Sequence, residues 1–279
     1  GFAEQAGVAI ASDVREKAAL LDINDGSIIW QGDTRSVGKL SPNGRVFAEW
    51  VPNVGTHLRD SETGEVLMEL RDQEPYRLNW IGDRGLVHVV PDAVNPTRKR
   101  TVFRDLETGL VSPLDVFGDE VEGVVPAAGS PDRYWLLHFT GVSEMLLTHS
   151  GAGWAAKLVS ERKMEGTHSS NAAGISADGR FYYRSQQEKV FILDTTTGQV
   201  REESFPSFYV QGVNPTEDPD GVLVVGFYRA APGSGQRVFV YSLSRHTLVP
   251  AKVANRFFLV PSLRVTANID DRAIYPAPI

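Results

Sequence analysis

Residues Ser176-Ala-Asp-Gly-Arg180 and, 18 positions further on, Asp194-Thr-Thr-Thr-Gly198 decide how this chain is read. Both are tight-turn signatures. The Asp side chain bonds the local backbone, and the glycine accepts a positive φ that other residues resist. They punctuate four short segments: Ala172–Ile175, Arg180–Arg184, Lys189–Asp194 and Gln199–Glu203. These are strand-length, and the central two are rich in aromatic and β-branched residues, which favours strands over helices. The stretch therefore predicts four antiparallel strands, A to D, with one turn type joining A to B and the other joining C to D.

Both signatures recur. The C–D series reads Asp22-Ile-Asn-Asp-Gly26, Asp60-Ser-Glu-Thr-Gly64, Asp105-Leu-Glu-Thr-Gly109, His149-Ser-Gly-Ala-Gly153, Asp194-Thr-Thr-Thr-Gly198 and the degenerate Ser242-Leu-Ser-Arg-His246, at spacings of 38, 45, 44, 45 and 48. The A–B series reads Ser41-Pro-Asn-Gly44, Gly82-Asp-Arg-Gly85, Ser130-Pro-Asp-Arg133, Ser176-Ala-Asp-Gly179, Asp218-Pro-Asp-Gly221 and Ile269-Asp-Asp-Arg272. A fixed period of this size on hairpin turns predicts an all-β fold, a β-propeller of four-stranded antiparallel blades. Six blades are favoured and seven are the second choice. The whole chain, 1–279, reads as one propeller domain.

The two ends do not match the repeat. The first C–D turn has no A–B turn before it, and the last A–B turn has no C–D turn after it. The expectation is a ring closed by N- and C-terminal strands sharing one blade, which removes exposed sheet edges. Val8-Ala-Ile-Ala-Ser12 reads as a surplus strand, and Asp13-Val-Arg-Glu16 as the alternative start of a short helix through Leu21.

Bulk properties exclude more than they assign. With 42% hydrophobic residues the chain can bury a sizeable core. A net charge of -7 and a pI near 5.4 argue against nucleic acid or an anionic membrane surface as partner. The absence of cysteine removes disulfides, thiolate metal sites and cysteine nucleophiles. No apolar run reaches the length of a membrane-spanning helix. The start, Gly1-Phe-Ala-Glu-Gln5, reads as a mature form or an excised domain, with a bacterial periplasmic or extracellular location favoured over the cytoplasm.

Leu193-Asp-Thr-Thr-Thr-Gly198 after Ser176-Ala-Asp-Gly-Arg180 resembles WD-repeat and related bacterial propeller repeats. Ala19-Leu-Leu-Asp-Ile-Asn-Asp-Gly-Ser-Ile-Ile-Trp30 is similar to the quinoprotein-type repeat, in which a tryptophan after the turn packs between blades. The likeness implies the fold. The chain departs from both patterns: no Trp-Asp dipeptide occurs, and Met68, Pro113 and Glu202 stand where the repeat tryptophan would recur. Pyrroloquinoline quinone is not expected, and no other cofactor is.

Catalytic signatures do not appear. Gly32-Asp-Thr-Arg-Ser-Val-Gly-Lys-Leu40 misses a phosphate loop by one residue of glycine spacing and by Leu40 at the Mg²⁺-binding place. Gly151-Ala-Gly-Trp-Ala-Ala156 has dinucleotide-loop glycines but falls on a C–D hairpin. The six histidines form no metal-binding spacing, and His88 and His138 lie within strands as packed groups. No metal site is expected. The reading is a non-catalytic protein-binding scaffold that presents its D–A and B–C loops. Those loops are Arg71–Tyr76, Pro91–Arg100, Val116–Glu120, Ser204–Phe208 and Arg229–Gly235, which mix the aromatic and arginine residues of interface hot spots. Candidate ligand- or partner-binding residues are His168, Arg98, Arg229, Tyr76, Phe117, Asp119 and Phe208. The alternatives are a small-ligand receptor or enzyme with its site at the central channel mouth, and the propeller of a larger peptidase or sensor protein.

Overall fold

The computed structural model describes residues 2–3, 8–12, 17–22, 24–33, 37–71, 78–92, 95, 99–116, 121–164, 172–176, 178–216, 218, 220–228 and 237–250. Among them are six four-stranded sheets, each an antiparallel meander. The first holds β1 (Phe2–Ala3), β2 (Val8–Ser12), β3 (Lys17–Asp22) and β4 (Ile28–Asp33). The second holds β5 (Val37–Leu40), β6 (Val46–Val51), β7 (Gly55–Asp60) and β8 (Val66–Arg71). The third holds β9 (Asn79–Ile81), β10 (Gly85–Pro91), β11 (Lys99–Asp105) and β12 (Val111–Leu114). The fourth holds β13 (Val121–Pro126), β14 (Arg133–His138), β15 (Gly141–Ser150) and β16 (Gly153–Lys163). The fifth holds β17 (Ala172–Ile175), β18 (Phe181–Gln186), β19 (Lys189–Asp194) and β20 (Val200–Ser204). The sixth holds β21 (Phe208–Pro215), β22 (Gly221–Tyr228), β23 (Arg237–Ser242) and β24 (Thr247–Pro250).

The turn chemistry is that of the sequence. In the C–D turns the fifth residue donates its N–H to the first residue's carbonyl: Gly26 to Asp22 at 2.9 Å, Gly64 to Asp60 at 2.9 Å, Gly109 to Asp105 at 3.0 Å, Gly198 to Asp194 at 2.8 Å and His246 to Ser242 at 3.0 Å. That fifth residue sits at φ 76° in Gly198, where a Cβ is strained. The degenerate sixth turn puts His246 there at φ 55°. The fourth differs. Its strands run on to Ser150 and from Gly153, leaving a two-residue connection.

The N-terminus differs from expectation. All four strands of the first sheet come from residues 2–33, so its four strands need none from the C-terminus. The C-terminal turn Ile269–Arg272 lies outside the described residues. Val8–Ser12 is the second strand of this sheet rather than a surplus one. Asp13–Glu16 lies outside the described residues, and Lys17–Leu21, which the alternative made helical, is strand, with Lys17–Asp22 pairing with Val8–Ser12 as β3.

The chain divides into two compact units. The first contains residues 1–115 and 148–156, the second 116–147 and 157–279. In each, the core lies between successive sheets, not within one. In the first unit Leu20, Leu40 and Phe47 cluster with Ile29 and Trp30 between the first and second sheets. Trp30 and Phe47 have ring centroids 5.0 Å apart. Ala48, Leu58, Leu70, Leu78 and Leu86 do the same between the second and third. Leu40, the would-be phosphate-loop residue, is thus a core residue. In the first unit, too, buried Asp105 accepts from Trp154 N at 2.8 Å. In the second unit Tyr183, Ile192, Val210, Val213, Val224 and Tyr241 belong to one cluster, between the fifth and sixth sheets.

Two consequences can be measured. Gly226 pairs with Val210 beside the bulge at Val210–Gly212, and an added Cβ would collide with the carbonyl oxygen of Tyr209 and the ring of Phe208. Gly226→Ala is expected to destabilise by about 1–3 kcal/mol in urea unfolding, and an unchanged midpoint would contradict this packing. The turn carboxylates also tie stability to pH. Burial pushes each pKa upward, but hydrogen bonds from the turn outweigh it. Asp60 and Asp105 lie below the usual value and Asp194, bonded by Thr196, Thr197 and Arg180, is held at about 2. An unfolded Asp titrates at about 3.9. A lowered folded pKa gives stability that is present above that value and is lost as pH falls through the folded one. The melting temperature should therefore stay level from neutral to about pH 5 and fall from about pH 4 towards 2. Asp194→Asn should flatten part of that fall.

Candidate functional site

An equivalent backbone bond aligns five of the sheets. Ser61, Leu106, Leu147, Thr195 and Leu243 donate their N–H to the carbonyls of Arg45, Arg84, Asp132, Arg180 and Asp220 at 2.8–3.1 Å. Four residues past each acceptor stands one repeat position on the second strand: Glu49, His88, Leu136, Arg184 and Val224. Two residues before each donor stands its diagonal neighbour on the third strand: Arg59, Arg104, Met145, Leu193 and Tyr241. In the fourth and sixth sheets both positions are uncharged and buried. In the second, third and fifth sheets this ordinary core position carries ionisable or basic side chains. Polar groups are costly to bury without partners.

In the second sheet the position is self-satisfied. Arg59 Nε donates to Glu49 Oε2 at 2.5 Å, and Arg59 Nη1 donates to Gly64 O at 2.8 Å. Arg59 also lies 5.8 Å from the Trp30 ring centroid. His57 stands 3.9 Å from both Glu49 and Glu69.

In the third sheet the carboxylate is replaced by His88. Arg104 Nε donates to His88 Nε2 at 3.3 Å and Arg104 Nη1 to Gly109 O at 3.3 Å. Because Nε2 accepts, the ring proton of the neutral histidine sits on Nδ1, which makes no hydrogen bond. Burial first, and then the Arg104 charge, push the His88 pKa down to about 4, against a weaker lift from the Val89 backbone. His88 is therefore neutral at physiological pH. Burial also lowers the pKa of Arg104. Both residues line a cleft of about 470 Å³, together with Glu69, Leu70, Arg71, Val90 and Pro91. Glu69 is already engaged by Arg71 Nε at 2.9 Å. Arg71 and Pro91 open two of the loop segments that the sequence marks as contact surface.

In the fifth sheet the position is Arg184, 1% exposed. Its Nη1 bonds the His138 carbonyl, lies 3.1 Å from Tyr182 Oη and stands 3.0 Å from Glu122 Oε2. Its guanidinium lies 5.0 Å from the Phe139 ring centroid. His138, buried as expected of a packed strand residue, shares a 2.9 Å hydrogen bond with Ser143. Phe139 is 39% exposed on the β14–β15 connection, and Tyr228, at the end of β22, is 40% exposed.

Of the sequence-derived candidates, His168, Arg98, Arg229, Tyr76, Phe117 and Asp119 lie outside the described residues. Phe208 is described and is not at the surface. It is 2% exposed, in T-shaped contact with Tyr228 and Phe239 at 5.2 Å each. As the first residue of β21 it follows the strand's inward alternation rather than the loop before it. Arg104, Glu69, Phe139 and Arg184 were not singled out. A signal for the arginines existed: Arg59 and Arg104 each immediately precede a turn aspartate.

No protein-family model matches the chain, and no curated protein matches it significantly. Solved structures do. The C-terminal WD40 domain of Sif2 superposes with a TM-score of 0.59 at 10% identity, over 88% of this chain and 66% of that one. The chain thus spans just under two thirds of the Sif2 chain. The computationally designed protein Ika8 gives 0.56 at 13% identity, over 94% and 74%. The β-propeller domain of Myceliophteria thermophila Cps50 (Swd1) gives 0.50 at 12% identity, over 89% and 84%. The fold is a WD40-like β-propeller. Among the described residues, six four-stranded sheets are its blades.

The buried guanidinium of the fifth blade gives a direct test. Removing one partner of a buried ion pair strands the other, so Arg184→Met should cost about 2–4 kcal/mol in urea unfolding. Adding Glu122→Gln should recover part of that loss. Equal melting of wild type and Arg184→Met would contradict a paired, buried Arg184.

Proposed function

We propose that this propeller is a non-catalytic protein-binding module, a single domain over residues 1–279, whose strand connections form the contact surface. One observation carries the reading: Phe139, exposed on a second-to-third-strand connection with a fully buried arginine beneath its ring. An exposed aromatic held rigid from below loses little entropy on binding, and aromatics of this kind dominate interface energetics. Tyr228, exposed at the matching connection of the sixth blade, supports it. So does the fold, since WD40 propellers typically serve as protein-interaction scaffolds.

The test uses a photo-crosslinking side chain. Placed at Phe139 it should capture a defined protein from extract of the source cells, whereas placed at Thr197, on a C–D turn at the other end of its sheet, it should not. Phe139→Asp should weaken that partner's binding roughly tenfold or more, with melting unchanged. Capture from Thr197 alone, or binding indifferent to Phe139→Asp, would overturn the reading.

A further inference from the structure

The third blade holds a guanidinium whose carboxylate is missing. Arg59 and Arg104 occupy the same repeat position, and each donates Nη1 to the glycine carbonyl of its own C–D turn. In the second blade Glu49 completes the arrangement at 2.5 Å from Arg59 Nε. In the third, the equivalent of Glu49 is His88, which is neutral and uncharged towards Arg104. Among the described residues no carboxylate comes within ion-pair distance of Arg104, and its Nη2 makes no hydrogen bond. The one acid among the described residues that line the cleft, Glu69, is held by Arg71. Counting Arg71, Arg104 and Glu69, the cleft carries one uncompensated positive charge. Its remaining walls, Leu70, Val90 and Pro91, are apolar. In the blades where this position is not used for charge it is filled by Leu136 with Met145 and by Val224 with Tyr241, both buried pairs. A half-buried, unpaired guanidinium at a core position is costly unless an anion joins it.

We propose that the cleft between the second and third blades, walled by β8, β10 and β11, binds a monocarboxylate carried on an apolar body. The carboxylate binds the Nη2 edge of Arg104, which the His88 ring and the Gly109 carbonyl leave open, and the body lies on Leu70, Val90 and Pro91. A single negative charge matches the single excess positive one. A guanidinium reads a carboxylate's two oxygens in one plane. About 470 Å³ suits a small organic acid or the last residues of a peptide. The two sources share the same chemistry. This inference does not rest on the protein-contact reading, which concerns Phe139 in the other compact unit.

The test is calorimetric titration of the full chain with sodium benzoate against benzamide, its neutral counterpart, and with acetyl-leucyl-leucine against its C-terminal amide. Both variants are borrowed from the protein's own repeats: His88→Glu copies Glu49, and Arg104→Met copies Met145. Wild type should bind at least one acid, with the amide roughly tenfold weaker or more. Benzoate alone binding points to a free organic acid, and the peptide acid binding more tightly points to a peptide terminus. Both variants should lose binding by a similar factor, and His88→Glu should melt above wild type because it gives Arg104 a carboxylate from within the protein. Far-ultraviolet circular dichroism verifies the fold, and Arg104→Met decides alone if His88→Glu does not fold. No binding of either acid at about 10 mM, amides binding as well as acids, or binding that survives in the folded variants would each overturn the proposal.

Discussion

A four-stranded meander has two faces and cannot cover either of them alone. That constraint organises this molecule. Hydrophobic clusters among the described residues draw their members from two successive sheets, as Leu20 does with Phe47, and as Val190 and Ile192 do with Val213 and Val224. Apolar burial of this kind is the main favourable term in folding. A blade is therefore stable only beside another, and stability is shared among neighbours as in other repeat proteins. The turns contribute differently. Their aspartates and glycines close each hairpin in the register that sends the apolar set inward.

Because the blades are equivalent, a polar residue at a core position stands out against its own repeat. Glu49, His88 and Arg184 sit where Leu136 and Val224 are buried. Each resolves the cost differently. Glu49 has Arg59. Arg184 has Glu122, the His138 carbonyl and the Phe139 ring. His88 stays neutral and leaves Arg104 short of an anion. The repeat itself supplies the reference against which function can be read, without any second protein for comparison.

The sequence carried the architecture well because turn chemistry is local. Asp194 and Gly198 act on atoms within five residues of each other, so the fifth blade's strands fall within one or two residues of the segments read from the turns. The N-terminal sheet was misread for the complementary reason. Pairing of Val8–Ser12 with Lys17–Asp22 is decided by partners, and Asp13–Glu16 looks locally like a helix start. Phe208 was misplaced because its neighbours, Phe205 to Ser207, read as a loop. Whether the next residue points outward depends on strand alternation, which begins at Phe208 itself.

By itself, then, the sequence determined the repeating four-stranded unit, the hairpin turns and the exclusion of cysteine chemistry. All of these follow from residue identity and short-range geometry. Only the tertiary structure decided which buried charges have partners. Whether Arg104 faces an acid depends on residues sixteen and more positions away in the chain, brought together by the packing of one sheet on another. No turn signature encodes that distance.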